Sequence, residues 1–340
     1  MNPTTEITPP GGYYNQNGAA VLPQQVVAIA IGRNEGERLM RCLRSLLPQV
    51  DRVIYVDSGS TDGSALRAAE LGAEVVQLDM AMPFTAARAR NAGAARAPDA
   101  AFLQFVDGDC EVETGWIAHG LAALLAEPRL GVVAGRRREL HPEASIYNRI
   151  CDVEWNTPIG PARAVGGDML ARGAAIREVG GFDPGLIAGE EPEMCLRLAR
   201  AGWGIRRLDA PMTIHDAAMT RHAQWARRAR RSGHAFAEVS WRHRAGPEGF
   251  WKRETRRPLF WGVALPLIIL ACALLTPWAW LLLLAYPLQI ARMALRDPLP
   301  RDRWTRAAYT LLAKFPEARG VIEFHLRRLV GRRSGLIEYK

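Results

Sequence analysis

The chain has 340 residues, 49% of them hydrophobic, and 44 Lys and Arg against 35 Asp and Glu give a net charge of +9. That hydrophobic content excludes a disordered protein and allows one large or two smaller domains, while the positive charge favours nucleic acid, phosphorylated substrates or an acidic membrane face as partners. Five scattered cysteines (Cys42, Cys110, Cys151, Cys195, Cys272) with no C-x-x-C pair give no sign of a disulfide framework or a zinc site and fit a reducing compartment.

Residues 1–24 are rich in Pro, Gly, Asn and Gln and lack the basic start and apolar run of a signal peptide. A flexible tail is expected there, with the following domain in the cytoplasm. From Gln25 to about Leu140, the apolar runs 26–31, 52–57, 73–78 and 101–107 alternate with helical patterns at Glu35–Leu47, Ser64–Leu71 and Thr85–Ala97. This alternation predicts an open α/β parallel sheet, in which ligands sit at the carboxyl ends of the strands. Two acidic loops, VDSGSTDGS and VDGDCE, fall at such ends.

The stretch from His141 to Pro211 is less regular, with helical character in EEPEMCLRLARAG and a short strand expected at WGIRRLD, 203–209. Beyond Ala217 the composition turns to Arg, Trp and His. The 218–257 region reads as basic helices, and its arginines allow two roles: neutralising a leaving diphosphate, or lying on anionic lipid with Trp225, Trp241 and Trp251 at the interface. The lipid surface is the favoured of the two. Residues 258–290 are apolar and uncharged, split at Thr276-Pro277, with basic residues crowding both flanks. By the positive-inside rule both flanks are cytoplasmic, so 258–294 is expected to form a transmembrane helical hairpin, followed by a basic amphipathic tail over 295–340.

Asp107 and Asp109 stand one residue apart at the end of an apolar run. Two carboxylates on such a turn can face one cavity, where hard oxygen ligands suit Mg²⁺ or Mn²⁺ and a diphosphate completes the coordination. Asp57 ends a strand and is suited to accept hydrogen bonds from a nucleotide base, whereas Asp62 fits a helix N-cap. Neither phosphate-loop fingerprint is present, which argues against a nucleotidyltransferase. The positive residues gather around the apolar segment and form no nucleic-acid reading module, so no nucleic-acid partner is expected.

Six segments in order, AIAIGRNEGERLMRCLRSL, VDSGSTDGS, ARARNAGAARA, FVDGDCE, GGDMLARGAAIREVGGFD and GEEPEMCLRLARAG, make the chain resemble the family 2 glycosyltransferases. The resemblance runs from about Val26 to Ala217, within a catalytic domain expected over 25–217. It implies the Rossmann-like A-type glycosyltransferase fold and an inverting, metal-dependent transfer from a nucleoside-diphosphate sugar. Carried over residue by residue, Asp57 contacts the base, and Asp107 and Asp109 bind ribose and metal, with Asp109 the direct ligand. Asn34, Glu35, Arg90 and Asn91 line the nucleotide side, and Gly166, Gly167 and Asp168 form the loop beside the donor sugar and acceptor. Glu191 matches the general base, and His215 matches a histidine that some members use near the metal.

Three departures stand out. The acidic pair is Glu190-Glu191 with Glu193 close by, so the base can slip by a position; Cys110 and Ser58 replace acids that often follow the two aspartate motifs. A Q-x-x-R-W signature is absent, which favours transfer of a single sugar over processive synthesis. A lipid-linked saccharide of envelope or exopolysaccharide synthesis is the expected acceptor, and the bacterial inner membrane, with the catalytic domain cytoplasmic, the expected location.

Overall fold

The structure, a computed structural model, describes residues 26–331; the expected tail over 1–24 and the end of the carboxyl-terminal tail, 332–340, lie outside the described residues. The first half alternates as read: β1 (Val26–Gly32), α1 (Glu37–Leu46), β2 (Arg52–Asp57), α2 (Ser64–Glu70), β3 (Glu74–Gln77), α3 (Ala86–Ala95) and β4 (Phe102–Asp107). These strands pair in parallel, with Gly32 opposite Asp57 and Ile31 opposite Asp107. That register brings the loops after β1, β2 and β4 to one edge of the sheet, where a crossover sheet opens its crevice.

The next elements are β5 (Cys110–Val112), α4 (Trp116–Ala126), β6 (Leu130–Glu139), α5 (Ile146–Glu154), β7 (Gly160–Pro161), β8 (Met169–Arg172), α6 (Gly173–Glu178), α7 (Glu190–Arg200) and β9 (Gly204–His215). The strand order is β3-β2-β1-β4-β8-β6-β9-β5, with β7 on β9. The sheet is therefore mixed, because β8 enters antiparallel to both β4 and β6. Strands β5 to β8 and helices α4 to α6 were not foreseen, and β9 continues past 209 to His215. Apolar side chains cover both faces, with Leu39, Leu43 and Trp116 on one and Ile29, Phe105 and Met194 on the other. At roughly 1.5–3 kcal/mol for each large side chain withdrawn from water, this burial is the main stabilising contribution.

Five helices follow: α8 (His222–Arg242), α9 (Lys252–Ala273), α10 (Pro277–Arg296), α11 (Arg303–Leu312) and α12 (Lys314–Leu329). The region expected as a carboxyl-terminal tail is thus helical within the described residues. Helices α9 and α10 are long and apolar enough to cross a membrane, and 17% and 11% of their most apolar windows are buried. Leu274 and Leu275, at the turn between them, are each 88% exposed.

The expectation that 218–257 lies on lipid needs correction for Trp225. Trp225 is only 5% exposed and packs edge-on against Tyr309 beside Tyr147. Helix α8 is instead clamped between the catalytic domain and α12. Arg228 pairs with Glu154 and Arg242 with Asp183 on the catalytic side. On the other side the backbones meet: a Cβ on Gly233 would lie 2.0 Å from the Glu317 carbonyl oxygen, and one on Gly320 would lie 2.0 Å from that of Arg230. Only glycine allows two helices so close. Replacing Gly233 with Ala therefore forces α8 and α12 apart. Thermal unfolding should show a loss of about 1–3 kcal/mol, the usual cost of overpacking, while the exposed Arg319→Ala control stays within about 0.5 kcal/mol.

Candidate active site

The loops at the sheet edge, α7, the end of β9 and one face of α8 enclose a cleft of about 700 Å³. Asp107 ends β4, and Asp109 begins the turn into β5, which pairs with β9 so that Cys110 lies opposite His215. This pairing carries the histidine to the acidic turn. Asp109 Oδ2 lies 3.2 Å from His215 Nε2, and both residues are buried. Burial, reinforced by the positive Arg137, holds the His215 imidazolium down to about 3, so the ring is neutral and offers a lone pair. The Cys110 thiol beside it is pushed well up by burial and stays protonated. Ligand atoms of Asp109, Cys110 and His215 lie within 4.8 Å of one another. A carboxylate and a neutral imidazole are donors that Mn²⁺ or Mg²⁺ accepts, with a nucleotide diphosphate supplying further oxygens. The residues fit a divalent ion, which Asp109 and His215 would hold.

Asp107 has different company. Its Oδ1 accepts from Arg90 Nη2 at 2.9 Å, its Oδ2 lies 3.6 Å from Arg137, and its backbone N–H donates to Asp168 Oδ1 at 3.1 Å. Asp168 is 1% exposed, accepts from the Thr213 hydroxyl at 2.8 Å and lies 3.3 Å from Arg137. It braces Asp107 from behind and does not itself line the cleft, the position expected for it beside the sugar. Arg137, absent from the sequence reading, stacks over Trp155 at 4.8 Å, and Trp155 meets the His215 ring edge-on at the same distance. Strand geometry separates the three arginines: Arg136 pairs with Asp152 and Arg138 with Glu113, while Arg137 turns into the cleft.

Helix α7 begins at Glu190, with Gly189 before it in the left-handed region at φ 81°. Arg90, from α3, is 2% exposed and reaches across: its Nη1 lies 3.0 Å from Glu190 and 3.1 Å from Glu191. The two adjacent glutamates thus converge on one guanidinium, although neighbouring helical positions diverge by about 100°. Burial works against the Arg90 charge, but Glu191, Asp107 and Glu190 outweigh it and hold the group protonated. Burial and the neighbouring Glu190 raise Glu191 to about 7, against the downward pull of Arg90. Glu193 points away and is bound by Arg197 and by His243 at 2.9 Å. Gly167 makes the crossing possible, since a Cβ there would lie 2.2 Å from Arg90 Nη2. Gly166 has open space at its Cβ position. On its other side α7 meets the base of the hairpin: a Cβ on Gly189 would lie 3.0 Å from the ring of Trp251, the residue before α9.

Of the remaining expected residues, Asn34 and Glu35 line the cleft. The Asn34 side-chain oxygen accepts from the Thr61 amide at 2.8 Å, tying the two nucleotide-side loops together. Asp57 is 1% exposed and accepts from the Tyr55 hydroxyl and from the Gly59 and Ser60 amides, so it shapes its own turn. Asp62 accepts from the Ser64 amide in a local turn, one residue before the N-cap of α2, which is Gly63 and not the expected Asp62. Asn91 lies outside the cleft: its side chain donates to the Phe182 carbonyl at 2.7 Å and accepts from the Phe182 amide at 2.9 Å.

Comparisons with known proteins agree with this geometry. Residues 28–165 match the model for glycosyl transferase family 2, and 149–295 match the model for glycosyl transferase family group 2. The pre-mycofactocin glycosyltransferase of Mycobacterium tuberculosis is 29% identical over 252 residues, covering 69% of this chain and 50% of that protein. Glycosyltransferase AglE of Haloferax volcanii is 25% identical over 201 residues, covering 55% of this chain and 64% of AglE. The chain thus spans about half to two thirds of the length of these relatives. In structure, the mannosyltransferase PcManGT from Pyrobaculum calidifontis, solved in complex with GDP-Man and Mn²⁺, superposes with a TM-score of 0.54 at 17% identity, covering 90% of this chain and 87% of that one. That likeness establishes the A-type glycosyltransferase fold. Two glycosyl transferase family 2 models thus match in sequence, one over the sheet and one over the helices behind it.

Proposed function

We propose that this chain transfers one sugar, with inversion, from a nucleoside-diphosphate sugar to a hydroxyl of a lipid-linked saccharide in envelope or exopolysaccharide synthesis. The reaction takes place at the cytoplasmic face of a bacterial inner membrane. The observation that carries this reading is the pairing, in one cleft, of a hard-donor site at Asp109 and His215 with a carboxylate, Glu191, of raised basicity. A divalent ion at the first supplies positive charge to the departing diphosphate. Mn²⁺ with GDP-Man in the Pyrobaculum structure supports such an ion. Arg228 and Arg231, on the α8 wall of the cleft, are suited to the diphosphate role that the sequence left open for this basic stretch. Glu191 takes the proton from the attacking hydroxyl, and Glu190, almost wholly buried, holds Arg90. The lipid-linked acceptor is supported by the hairpin, whose entry at Trp251 touches the residue before the catalytic pair.

Three measurements test this. Asp109→Asn should weaken metal-dependent donor binding by at least the roughly 10–100-fold lost when even an outer partner of a metal ligand is removed. Calorimetric titration with nucleotide sugars and Mn²⁺ reads it, and unchanged affinity and metal dependence would remove the acidic turn from the site. Glu191→Gln should lower turnover by about 10²–10⁴-fold with donor affinity nearly intact, since the amide keeps the shape and loses the basicity. Near-normal turnover in that variant with collapse in Glu190→Gln would move the base by one position. The pH profile gives the third. A base raised to about 7 is inactive when protonated, so turnover at saturating donor should climb as pH rises through about 7 and flatten above it. A plateau extending down to about pH 5, in the ordinary carboxylate range, contradicts the assignment.

A further inference from the structure

Helix α12 is apolar on two opposite faces, one buried against the protein and the other largely exposed. Ala318, Val321 and Phe324 are buried toward α8 and α9. On the other side Phe315, Ile322, Leu326, Leu329 and Val330 are 42%, 37%, 56%, 72% and 66% exposed. Spacings of seven, four, three and one align these five on a single face of a 3.6-residue helix. A soluble surface does not normally gather so many large apolar side chains on one face.

Its position indicates what covers it. The stripe begins at the hairpin: the Phe315 ring stacks on Tyr286 of α10 at 6.1 Å, and a Cβ on Gly262, within the apolar part of α9, would lie 2.5 Å from the Lys314 carbonyl oxygen. The exposed face of α12 is therefore continuous with the apolar surface of α9 and α10. Basic side chains accompany it: Arg319, 69% exposed and paired with Glu323, lies on this face between Phe315 and Ile322, and the exposed Lys252, Arg253, Arg256 and Arg257 stand at the start of α9. A helix with an apolar stripe, basic neighbours and an attached spanning segment matches the chemistry of an anionic bilayer surface.

We propose that α12 lies in the plane of the membrane interface, its Phe315–Val330 stripe in the acyl boundary and its basic neighbours on anionic headgroups, as a second attachment surface beside the hairpin. Helix α8 and the catalytic domain then rest on it from above. The contact rests on the hairpin reading of α9 and α10, and the test separates the two.

The full-length protein, with Cys272 changed to Ser, is spin-labelled at a single introduced cysteine: Leu326→Cys on α12, Leu267→Cys in α9, or the exposed Leu66→Cys on α2. The other native cysteines are buried. Each is reconstituted into vesicles of phosphatidylcholine and phosphatidylglycerol, and relaxation by oxygen is compared with relaxation by a water-soluble nickel chelate. The Leu326 and Leu267 labels should favour oxygen and the Leu66 label nickel, with the Leu326 label about 5–10 Å below the phosphates. A Leu326 label relaxed like that at Leu66, while the one at Leu267 stays in lipid, overturns the inference and leaves the hairpin standing. Aqueous behaviour at both Leu267 and Leu326 overturns the hairpin as well. Dipolar broadening between Leu326 labels means that a second copy covers the stripe, which also overturns the lipid assignment. Leu329→Cys, one turn further on, serves if Leu326→Cys fails to fold.

Discussion

The site is organised around one buried cation. Arg90 brings α3 to the end of β4 and the start of α7 through Asp107, Glu190 and Glu191, all within about a hydrogen-bond length of its guanidinium. A guanidinium serves here because it is planar, permanently charged and able to donate in several directions, which a lysine ammonium does not match. Burying this charge is unfavourable, and only the three carboxylates offset it. Leaving any member of such a buried set unpaired costs about 3–5 kcal/mol. The same arrangement gives Glu191 its chemistry: burial raises its basicity, and the adjacent Glu190 adds to this against the pull of the shared cation.

Much of this was legible from the residues. The four parallel strands are apolar runs bounded by turn signals, and three of the helices between them follow within two residues of the expected limits. The metal-side pair of Asp109 and His215 could also be foreseen, although they come together only because β5 pairs with β9. What the sequence did not disclose depends on long-range packing. Strand β6 is apolar in its first half and arginine-rich in its second, so no period marks it as one element, and Arg137 went unseen with it. Asp57 and Asp168 stand at a strand end and in a loop, and Asn91 stands inside α3; at none of them can pattern separate a ligand-facing polar side chain from one that satisfies backbone groups. In the structure all three bond to the protein itself.

The carboxyl-terminal helices show the same limit from the opposite direction. Composition identified a basic, tryptophan-rich region beside an apolar one, but α8 carries enough small residues to bury both of its sides. Gly233 and the alanines around it make α8 a spacer between domain and membrane hairpin, and its tryptophan at 225 became part of an aromatic cluster with Tyr147 and Tyr309. Charge and aromatic content described the helix, while glycine spacing decided where it went.

The contact between Trp251 and Gly189 joins the two ends of the molecule. The indole stands at the entry to α9, and the glycine it touches is followed directly by Glu190 and Glu191. No flexible linker separates the apolar hairpin from the catalytic carboxylates; the separation is a few van der Waals radii of packed side chain. The enzyme works like a gauge of fixed height, unable to reach up or down to find its acceptor. With the proposed bilayer-anchored acceptor, a hydroxyl would be reached only if its carrier presents it at that level, and the length of the acceptor between its own anchor and its reacting end would become a criterion of selection.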